Sequence, residues 1–328
     1  MIPHSKPWIS PEDINSISML LSTASIDTGI EYEALVNDLQ NYFPAYNLVT
    51  TRSGSDALGL ILSSIGICRS DEVIVTNYVC HEVLDVIHSL GAKPVLVDIE
   101  SNWSPSFNLV KEKITIRTKA IIFVHIFGIK TDLTDFNELD IPLIEDRCQL
   151  FSNEPLQGFA AAYSLNATKY ITSIRGGLAV FEKDIHFDSR GGVSFDDVSS
   201  RIARLQLMRI ESIHEKRKEI ARFYIGSLPK ELTRSMQDTF DRNYFFRFII
   251  DSARDFDDFQ MFMMRNGVSV RRGVDELLSS RIGIGNSDFG ESFKAFNRSA
   301  SLPIYPSLQQ QEMSKVSSCV NDYFTTRP

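Results

Sequence analysis

Short apolar segments alternate with helix-like segments through roughly the first 180 residues, and this alternation restricts the fold more than any other feature. The apolar runs are Leu48–Thr50, Val73–Thr76, Pro94–Ile99, Ala120–His125, Pro142–Ile144, Ala160–Ser164 and Gly177–Phe181. They are almost continuously apolar, as expected for strands that are buried on both faces of a sheet. Helical patterns at residues 55–65, 81–90 and 133–139 separate several of them. This order predicts an α/β fold with a mostly parallel, seven-stranded sheet flanked by helices.

The pattern changes after about residue 190. A long helical stretch at Asp196–Leu228 is followed by a strand-like run at Phe245–Ile250 and by helical patterns at Asp255–Asn266 and Met313–Phe324. This mixture predicts a smaller C-terminal α+β domain. We expect a large domain over residues 1–210 and a small domain over residues 211–328.

The first helix has a clear start signal. Ser10 is a favoured N-cap residue and Pro11 fits the first helical position. Glu12 and Asp13 then place negative charge at the positive end of the helix dipole. A helix beginning at residue 11 is therefore expected.

Composition excludes several classes of protein. The chain of 328 residues has 34 Lys and Arg against 42 Asp and Glu, a net charge of -8, which disfavours a dedicated nucleic-acid binder. The longest apolar stretch, Ile121–Ile129, is far shorter than the roughly 20 residues of a membrane span. The four cysteines are scattered, which disfavours a zinc site or a disulfide framework. We expect a cytoplasmic protein without a metal, membrane or nucleic-acid partner.

A segment rich in small residues, at positions 52–58, lies between a predicted strand and a predicted helix. Gly54 and Ser55 would leave backbone N–H groups free at the start of that helix, and Ser55 would add a hydroxyl. The segment therefore predicts an anion site. An ordinary capped helix start is the alternative.

Two further segments carry ionisable side chains. Asp146 follows a predicted buried strand, at the end where open α/β sheets bind ligands. Lys169 follows the strand Ala160–Ser164 and precedes a Gly-Gly pair, and a lysine in a confined pocket can act as a nucleophile toward a carbonyl group. The alternatives are a capping or ion-paired acid for Asp146 and a solvated cation for Lys169.

Together the three segments match the needs of one cofactor. A phosphate needs N–H groups and hydroxyls, a pyridine nitrogen needs a buried carboxylate, and an aldehyde needs an amine. Pyridoxal phosphate (PLP) has all three groups, and a lysine and an aspartate are its usual partners. We therefore predict a PLP enzyme.

The sequence resembles the DegT/DnrJ/EryC1/StrS sugar aminotransferases, which have the type I fold of PLP enzymes. The resemblance extends over nearly the whole chain, and it depends on the order and spacing of its segments. The matching segments are residues 2–3, 9–14, 28–29, 53–58, 71–75, 91–99, 117–125 and 301–306.

This resemblance implies roles for individual residues. Lys169 is similar to the lysine that binds the cofactor covalently, and Asp146 to the partner of the pyridine nitrogen. Gln149 resembles a glutamine that faces the cofactor ring. The remaining matches are Gly54, Ser55 and Ser164 near the phosphate and Asn166 in the pocket wall.

Two segments depart from the family pattern. An aromatic residue usually stacks on the cofactor ring, but Cys80 occupies that position here. Either Cys80 makes an apolar contact with the ring, or His81 or Tyr78 replaces it. The family's stretch that contacts the partner subunit's cofactor is also replaced, near residues 192–195, where Ser194 is a possible substitute.

The resemblance implies transfer of an amino group, from L-glutamate, to a nucleotide-linked keto-sugar. It also implies a homodimer with its site at the interface and a place in amino-sugar, polysaccharide or antibiotic biosynthesis. The alternatives are a non-catalytic protein that binds PLP or a sugar nucleotide, and another PLP reaction such as sugar dehydration or acyl transfer. Retention of Lys169 favours amino transfer over dehydration. Arg271, Arg272 and Arg281 either contact a diphosphate or remain solvated.

Overall fold

A seven-stranded sheet forms the centre of the molecule. The computed structural model describes residues 1–23, 26, 28–182, 192–252 and 255–326. Within these ranges the strands are Tyr46–Thr51 (β1), Glu72–Thr76 (β2), Lys93–Val97 (β3), Thr118–Val124 (β4), Leu143–Asp146 (β5), Ala160–Ser164 (β6) and Gly177–Glu182 (β7). Their order is β1-β7-β6-β5-β4-β2-β3. The predicted α/β fold with seven strands is confirmed.

Strand direction follows from the pairing. Parallel pairs join β2 to β3, β2 to β4, β4 to β5, and β5 to β6. The strand β7 is antiparallel to both of its neighbours, β6 and β1. Consequently β1 runs in the same direction as β2–β6, and all six carboxyl ends lie at one edge of the sheet.

Helices cover the sheet and continue into the C-terminal region. Their bounds are Pro11–Ser22 (α1), Ile30–Tyr42 (α2), Gly54–Ser64 (α3), His81–Ser89 (α4), Phe107–Lys111 (α5), Asp197–Leu207 (α6), Ile210–Ser227 (α7), Lys230–Asp238 (α8), Phe256–Arg265 (α9), Leu278–Arg281 (α10), Gly290–Arg298 (α11) and Gln310–Thr326 (α12). None of the helices in the described ranges is both long enough and apolar enough to cross a bilayer.

The predicted start of α1 is confirmed. The Ser10 hydroxyl accepts a hydrogen bond from the Asp13 N–H, and the Asp13 carboxylate accepts one from the Ser10 N–H. Pro11 occupies the first helical turn. This reciprocal capping box satisfies two backbone donors that a helix leaves without internal partners.

Two helix predictions need correction. The stretch predicted as one helix over Asp196–Leu228 forms α6 and α7, with a break at Met208 and Arg209. At the break Arg209 forms an ion pair with Asp13 and donates to the Trp8 carbonyl at 3.0 Å. The segment Thr134–Leu139 is a 3₁₀ helix rather than an α-helix.

A second, three-stranded antiparallel sheet lies in the C-terminal region. Its strands are Phe248–Asp251 (β8), Arg271–Arg272 (β9) and Ser299–Leu302 (β10), with β10 in the centre. One continuous apolar core contains residues of both sheets, for example Val75 of β2 and Leu302 of β10. The division into domains at residue 210 stays a prediction.

Two glycines allow unusually close approach of the backbone where α3 meets the sheet edge. A Cβ on Gly54 would lie 2.5 Å from the Cys148 Sγ and 2.9 Å from the Ser164 Cβ. A Cβ on Gly177 would overlap the Ser53 carbonyl. Only residues without a side chain therefore allow the start of α3 to contact the last residue of β6 and the first residue of β7.

This close contact gives the first testable prediction. Gly54→Ala should lower the free energy of unfolding by about 1–3 kcal/mol, because overpacking forces neighbouring atoms apart. Gly59→Ala in the same helix is the matched control, since its Cβ would meet Val86 at an ordinary 3.7 Å. The control should be neutral or stabilising by roughly 0.5–1 kcal/mol. Urea unfolding measures both, and equal destabilisation by the two variants would contradict the prediction.

Candidate active site

A cavity of about 140 Å³ opens at the carboxyl edge of the large sheet. Eight of the nine residues predicted to bind the cofactor line it: Gly54, Ser55, Cys80, Asp146, Gln149, Ser164, Asn166 and Lys169. It also contains residues that sequence reasoning missed: Ser53, Leu58, Glu82, Val83, Val124 and Cys148. Val124 could have been predicted from the sequence, because it lies at the end of β4 and parallel strands end at the same edge of a sheet.

Asp146 is the last residue of β5 and pairs in register with Val124 and Ala162 on the neighbouring strands. Its side chain is buried, and one carboxylate oxygen accepts a hydrogen bond from the Cys148 N–H at 2.9 Å. Asp146 forms no ion pair with any residue that the structure describes. A buried carboxylate without a cation is costly, so this position favours a cationic or hydrogen-bonding ligand.

Lys169 lies in the loop between β6 and β7. A turn closed by its own N–H and the Asn166 carbonyl, at 2.8 Å, presents it to the cavity. The Ser173 hydroxyl holds the same loop by donating to the Ser199 carbonyl at 2.9 Å. The Lys169 ammonium lies 5.2 Å from the centre of the Phe246 ring. Lys169 is half-buried, so a small ligand can come within range of its amine.

The N-terminus of α3 forms another part of the cavity wall. The Ser53 hydroxyl accepts the Asp56 N–H at 3.0 Å, and the Ser53 carbonyl accepts the Ala57 N–H at 3.0 Å. Within the described ranges, the N–H groups of Gly54 and Ser55 have no acceptor. Together with the Ser55 and Ser164 hydroxyls, they form a set of donors suited to an anion.

Cys80 and Gln149 complete the wall next to α4. The Gln149 carbonyl oxygen accepts the Phe127 N–H at 2.7 Å, and its amide nitrogen lies 3.8 Å from the Cys80 Sγ. Burial raises the pKa of the Cys80 thiol and raises that of Cys148 well above its usual value. Both side chains are therefore neutral at pH 7, and Cys80 presents a small apolar surface.

The two alternatives to Cys80 lie elsewhere. His81 does not line the cavity; its imidazole is 3.9 Å from Glu82 and from Glu276, and 4.0 Å from Asp85. Tyr78 is fully buried and packs against Trp103 at a ring distance of 5.8 Å. The structure thus brings neither ring into the cavity.

Ser194 also lies outside the residues that line the cavity, and its side chain is exposed. The neighbouring Val193 is bound to β1, because its N–H donates to the Thr50 carbonyl at 2.9 Å. Residues 183–191, which follow β7 in the sequence, lie outside the described ranges. The contact of Ser194 with a partner subunit therefore stays a prediction.

A buried ionic network lies behind the cavity wall, on the other face of β5. Glu145 accepts hydrogen bonds from His125 at 2.8 Å and from Arg147 at 2.8 and 3.0 Å. It also accepts the backbone N–H groups of Gln157, at 2.6 Å, and Gly158, at 3.0 Å. Burial alone would raise the pKa of Glu145, but these partners outweigh burial and lower the pKa to about 2.

Comparisons with known proteins identify the family. The profile of the DegT/DnrJ/EryC1/StrS aminotransferase family matches residues 7–189 and 192–321. The chain belongs to this family. It is 24% identical to a GDP-perosamine synthase of Vibrio cholerae, with 99% of each chain covered.

Solved structures agree with this assignment at the level of the fold. Spr1654 of Streptococcus pneumoniae, which is described as a sugar aminotransferase and was solved in its pyridoxamine phosphate (PMP) form, matches with a TM-score of 0.84 and 19% identity over 99% of each chain. A GDP-4-keto-6-deoxymannose-3-dehydratase, ColD, solved with bound GDP-perosamine, matches with a TM-score of 0.82 and 15% identity, covering 98% of this chain and 100% of ColD. The predicted family, fold class and aminotransferase activity are confirmed.

The residues present fit PLP as the cofactor of this family. A protonated pyridine nitrogen would supply the cation that Asp146 lacks. The free N–H groups at the start of α3 suit a phosphate, and Lys169 supplies the amine that the aldehyde requires. Each part of the cofactor thus has a chemically matched partner in one cavity.

The network around Glu145 generates a prediction about acid stability. Because its folded-state pKa lies near 2 and its ordinary value is 4.5, its contribution is complete above pH 4.5 and is lost as pH falls toward 2. Glu145→Gln should lower the free energy of unfolding at pH 7 by about 3 kcal/mol, since Arg147 would stay buried without a counter-charge. The variant's stability should also depend less on pH between 4.5 and 2.

Urea unfolding from pH 7 downward measures both effects. Glu138→Gln, at an exposed position of the 3₁₀ helix, is the matched control and should change stability by less than about 0.5 kcal/mol. Equal pH dependence of the wild type and Glu145→Gln would show that the network does not stabilise the fold in this way.

Proposed function

We propose that this protein transfers an amino group from L-glutamate to the keto group of a nucleotide-linked sugar, with PLP as its cofactor. One observation carries this assignment. Lys169 and the buried Asp146, which has no cationic partner among the described residues, line the same cavity as the free N–H groups at the start of α3. The family match supports the same reaction class.

In this proposal each residue has a separate task. Lys169 holds the cofactor through a covalent bond from Nζ, and once released its amine moves the proton to and from the donor's α-carbon. Asp146 keeps the pyridine nitrogen protonated. Gly54, Ser55 and Ser164 bind the phosphate, while Asn166 and Gln149 position the ring. When bound, PLP supplies an electron-withdrawing ring that stabilises the negative charge left at that carbon.

The cofactor ring would rest against Cys80. Neither Tyr78 nor His81 lines the described cavity, because Tyr78 lies in the core and His81 is close to acidic groups. An apolar thiol gives a thinner contact than a stacked ring. We therefore expect the ring to be positioned mainly by Asp146, Gln149 and the bond to Lys169.

The substrate class and the assembly belong to the same proposal. The Vibrio cholerae relative is named for GDP-perosamine, which supports a nucleotide-linked sugar as substrate and a place in amino-sugar or polysaccharide biosynthesis. A cytoplasmic homodimer with its site at the interface follows from the family resemblance. Ile174, in the Lys169 loop, leaves 51% of its surface exposed, which is consistent with coverage by a second subunit. Sedimentation velocity tests the dimer.

The absorbance spectrum of the protein with PLP tests the cofactor and donor assignments. The wild type should show a visible band, and L-glutamate should abolish it as the amino group is taken up. Lys169→Ala should show no such band. The matched control Lys113→Ala changes an exposed lysine and should behave like the wild type.

Product analysis tests the acceptor. With GDP-4-keto-6-deoxymannose as the probe, mass spectrometry should detect an amino-sugar nucleotide only when L-glutamate is present. A deoxygenated product without nitrogen would favour sugar dehydration. A band that no amino donor changes would favour a non-catalytic binding protein.

A further inference from the structure

A second, smaller cavity adjoins the active site and is lined by cations. We call it the cationic cleft; it holds about 50 Å³ and is formed by His4, Ser5, Lys6, Thr168, Arg217, Phe246, Arg247, Arg271, Ile304 and Tyr305. Five of these residues carry basic side chains, and none carries a carboxylate. The cleft therefore has the composition of an anion site.

Stretches that lie far apart in the sequence meet to form it. The N-terminal segment forms a β-bridge with the C-terminal region between Ile2 and Val268, and the Ile2 N–H donates to the Gly267 carbonyl at 2.8 Å. His4 continues this contact, with its Nε2 2.8 Å from the Ser301 hydroxyl, and Ser301 pairs in register with Arg271. Arg217 comes from α7. Arg271 comes from β9, so two of the arginines lie in regular elements and the cleft does not depend on a single loop.

The arginines here lack counter-charges, in contrast to those elsewhere. Arg147 pairs with Glu145, Arg201 with Glu31 and Arg298 with Asp251. In the described parts of the chain, Arg217, Arg247 and Arg271 form no ion pair. The absence of a counter-charge is costly for the buried Arg217 and the partly buried Arg247 unless an anion binds, whereas Arg271 is exposed and solvated.

Arg217 is buried, and its hydrogen bonds go to backbone carbonyls, including those of Phe245 and Ile304 at 3.0 Å. Arg247 donates to the Arg272 carbonyl at 2.7 Å. The Nε atoms of Arg217 and Arg247 are buried without a partner. These guanidinium groups therefore retain unused donors.

The positive charge of the cleft also affects the pKa of His4. Burial, with the charges of Arg247 and Arg271, lowers the pKa of His4 to about 3. His4 is neutral at pH 7, and its Nδ1 is buried without a partner. Asp275 is the carboxylate whose charge acts on Arg247, but it forms no ion pair with it.

The cleft is separated from the reactive amine by one aromatic ring. Phe246 lines the cleft, and the Lys169 Nζ lies 5.2 Å from the centre of that ring. Thr168, the residue before Lys169, lines the cleft as well. An anion bound here would thus be close enough to belong to the molecule whose amino group reacts at the active site.

We propose that the cationic cleft binds a carboxylate group of the amino donor, through Arg217, Arg247 and Arg271. This inference rests on the proposed function and adds the residues that select the donor. Size favours a carboxylate over the diphosphate of a sugar nucleotide, since 50 Å³ accommodates about four water-sized groups. Guanidinium groups bind carboxylates through paired, charge-assisted hydrogen bonds.

Calorimetric titration of the PLP-loaded protein with glutarate tests the proposal. Glutarate has the two carboxylates of glutamate but no amino group, so its binding is measured without any reaction. Arg247→Gln and Arg271→Gln should each weaken binding about tenfold or more. Arg222→Gln, at an exposed position of the same helix as Arg217, is the matched control and should bind like the wild type.

Arg271 is exposed, so its replacement keeps the test valid if Arg247→Gln fails to fold; thermal unfolding of each variant checks this. Failure of glutarate to bind the wild type, or equal binding by the wild type and both cleft variants, would overturn the proposal. Inorganic pyrophosphate forms the second titration. If it binds more tightly than glutarate and displaces it, the cleft serves the sugar nucleotide instead.

The result is separable from that of the proposed function. Arginine-dependent glutarate binding without amino transfer would support the carboxylate site and reject the reaction. Amino transfer from glutamate, together with glutarate binding that the arginine substitutions leave unchanged, would support the reaction and reject the carboxylate site.

Discussion

The site depends on the close contact of the start of α3 with the last residue of β6 and the first residue of β7. Gly54 allows this contact because a Cβ would lie 2.5 Å from the Cys148 Sγ, and Gly177 allows it because a Cβ would overlap the Ser53 carbonyl. The contact brings the free N–H groups of the helix to the same edge as Asp146. The donors for an anion and the carboxylate for a cation thereby line one cavity.

Alternation along β5 separates an ion-paired acid from the acid to which we assign the cofactor contact. Successive side chains of a strand point to opposite faces, so Glu145 and Arg147 share one face and Asp146 occupies the other. Glu145 is fully paired with His125 and Arg147, which stabilises the strand. Asp146 is left for a ligand. The same contrast separates paired arginines such as Arg147 and Arg201 from those of the cationic cleft, where no described carboxylate is paired with Arg217, Arg247 or Arg271.

The sequence predicted those parts of the molecule that local patterns encode. Apolar runs identified all seven strands of the large sheet, and the positions of Asp146 at the end of β5 and of Lys169 after β6 marked both residues. The break at Met208 was missed because the helical spacing of apolar residues continues through it, whereas Arg209 contacts residues about 200 positions away. The outward position of His81 and the burial of Arg217 also depend on distant elements. Of the three C-terminal arginines considered from sequence, Arg281 pairs with Asp85 and Glu276, Arg272 pairs with Asp257, and Arg271 joins the cationic cleft.

The central claim is that Lys169 is the residue that binds the cofactor. Borohydride reduction of the PLP-loaded protein, followed by protease digestion and mass spectrometry, tests it most directly because the reduced bond survives digestion. The account predicts that the cofactor's mass is found on the peptide containing Lys169 and on no other lysine. A label on a different lysine, or no label at all, would contradict it.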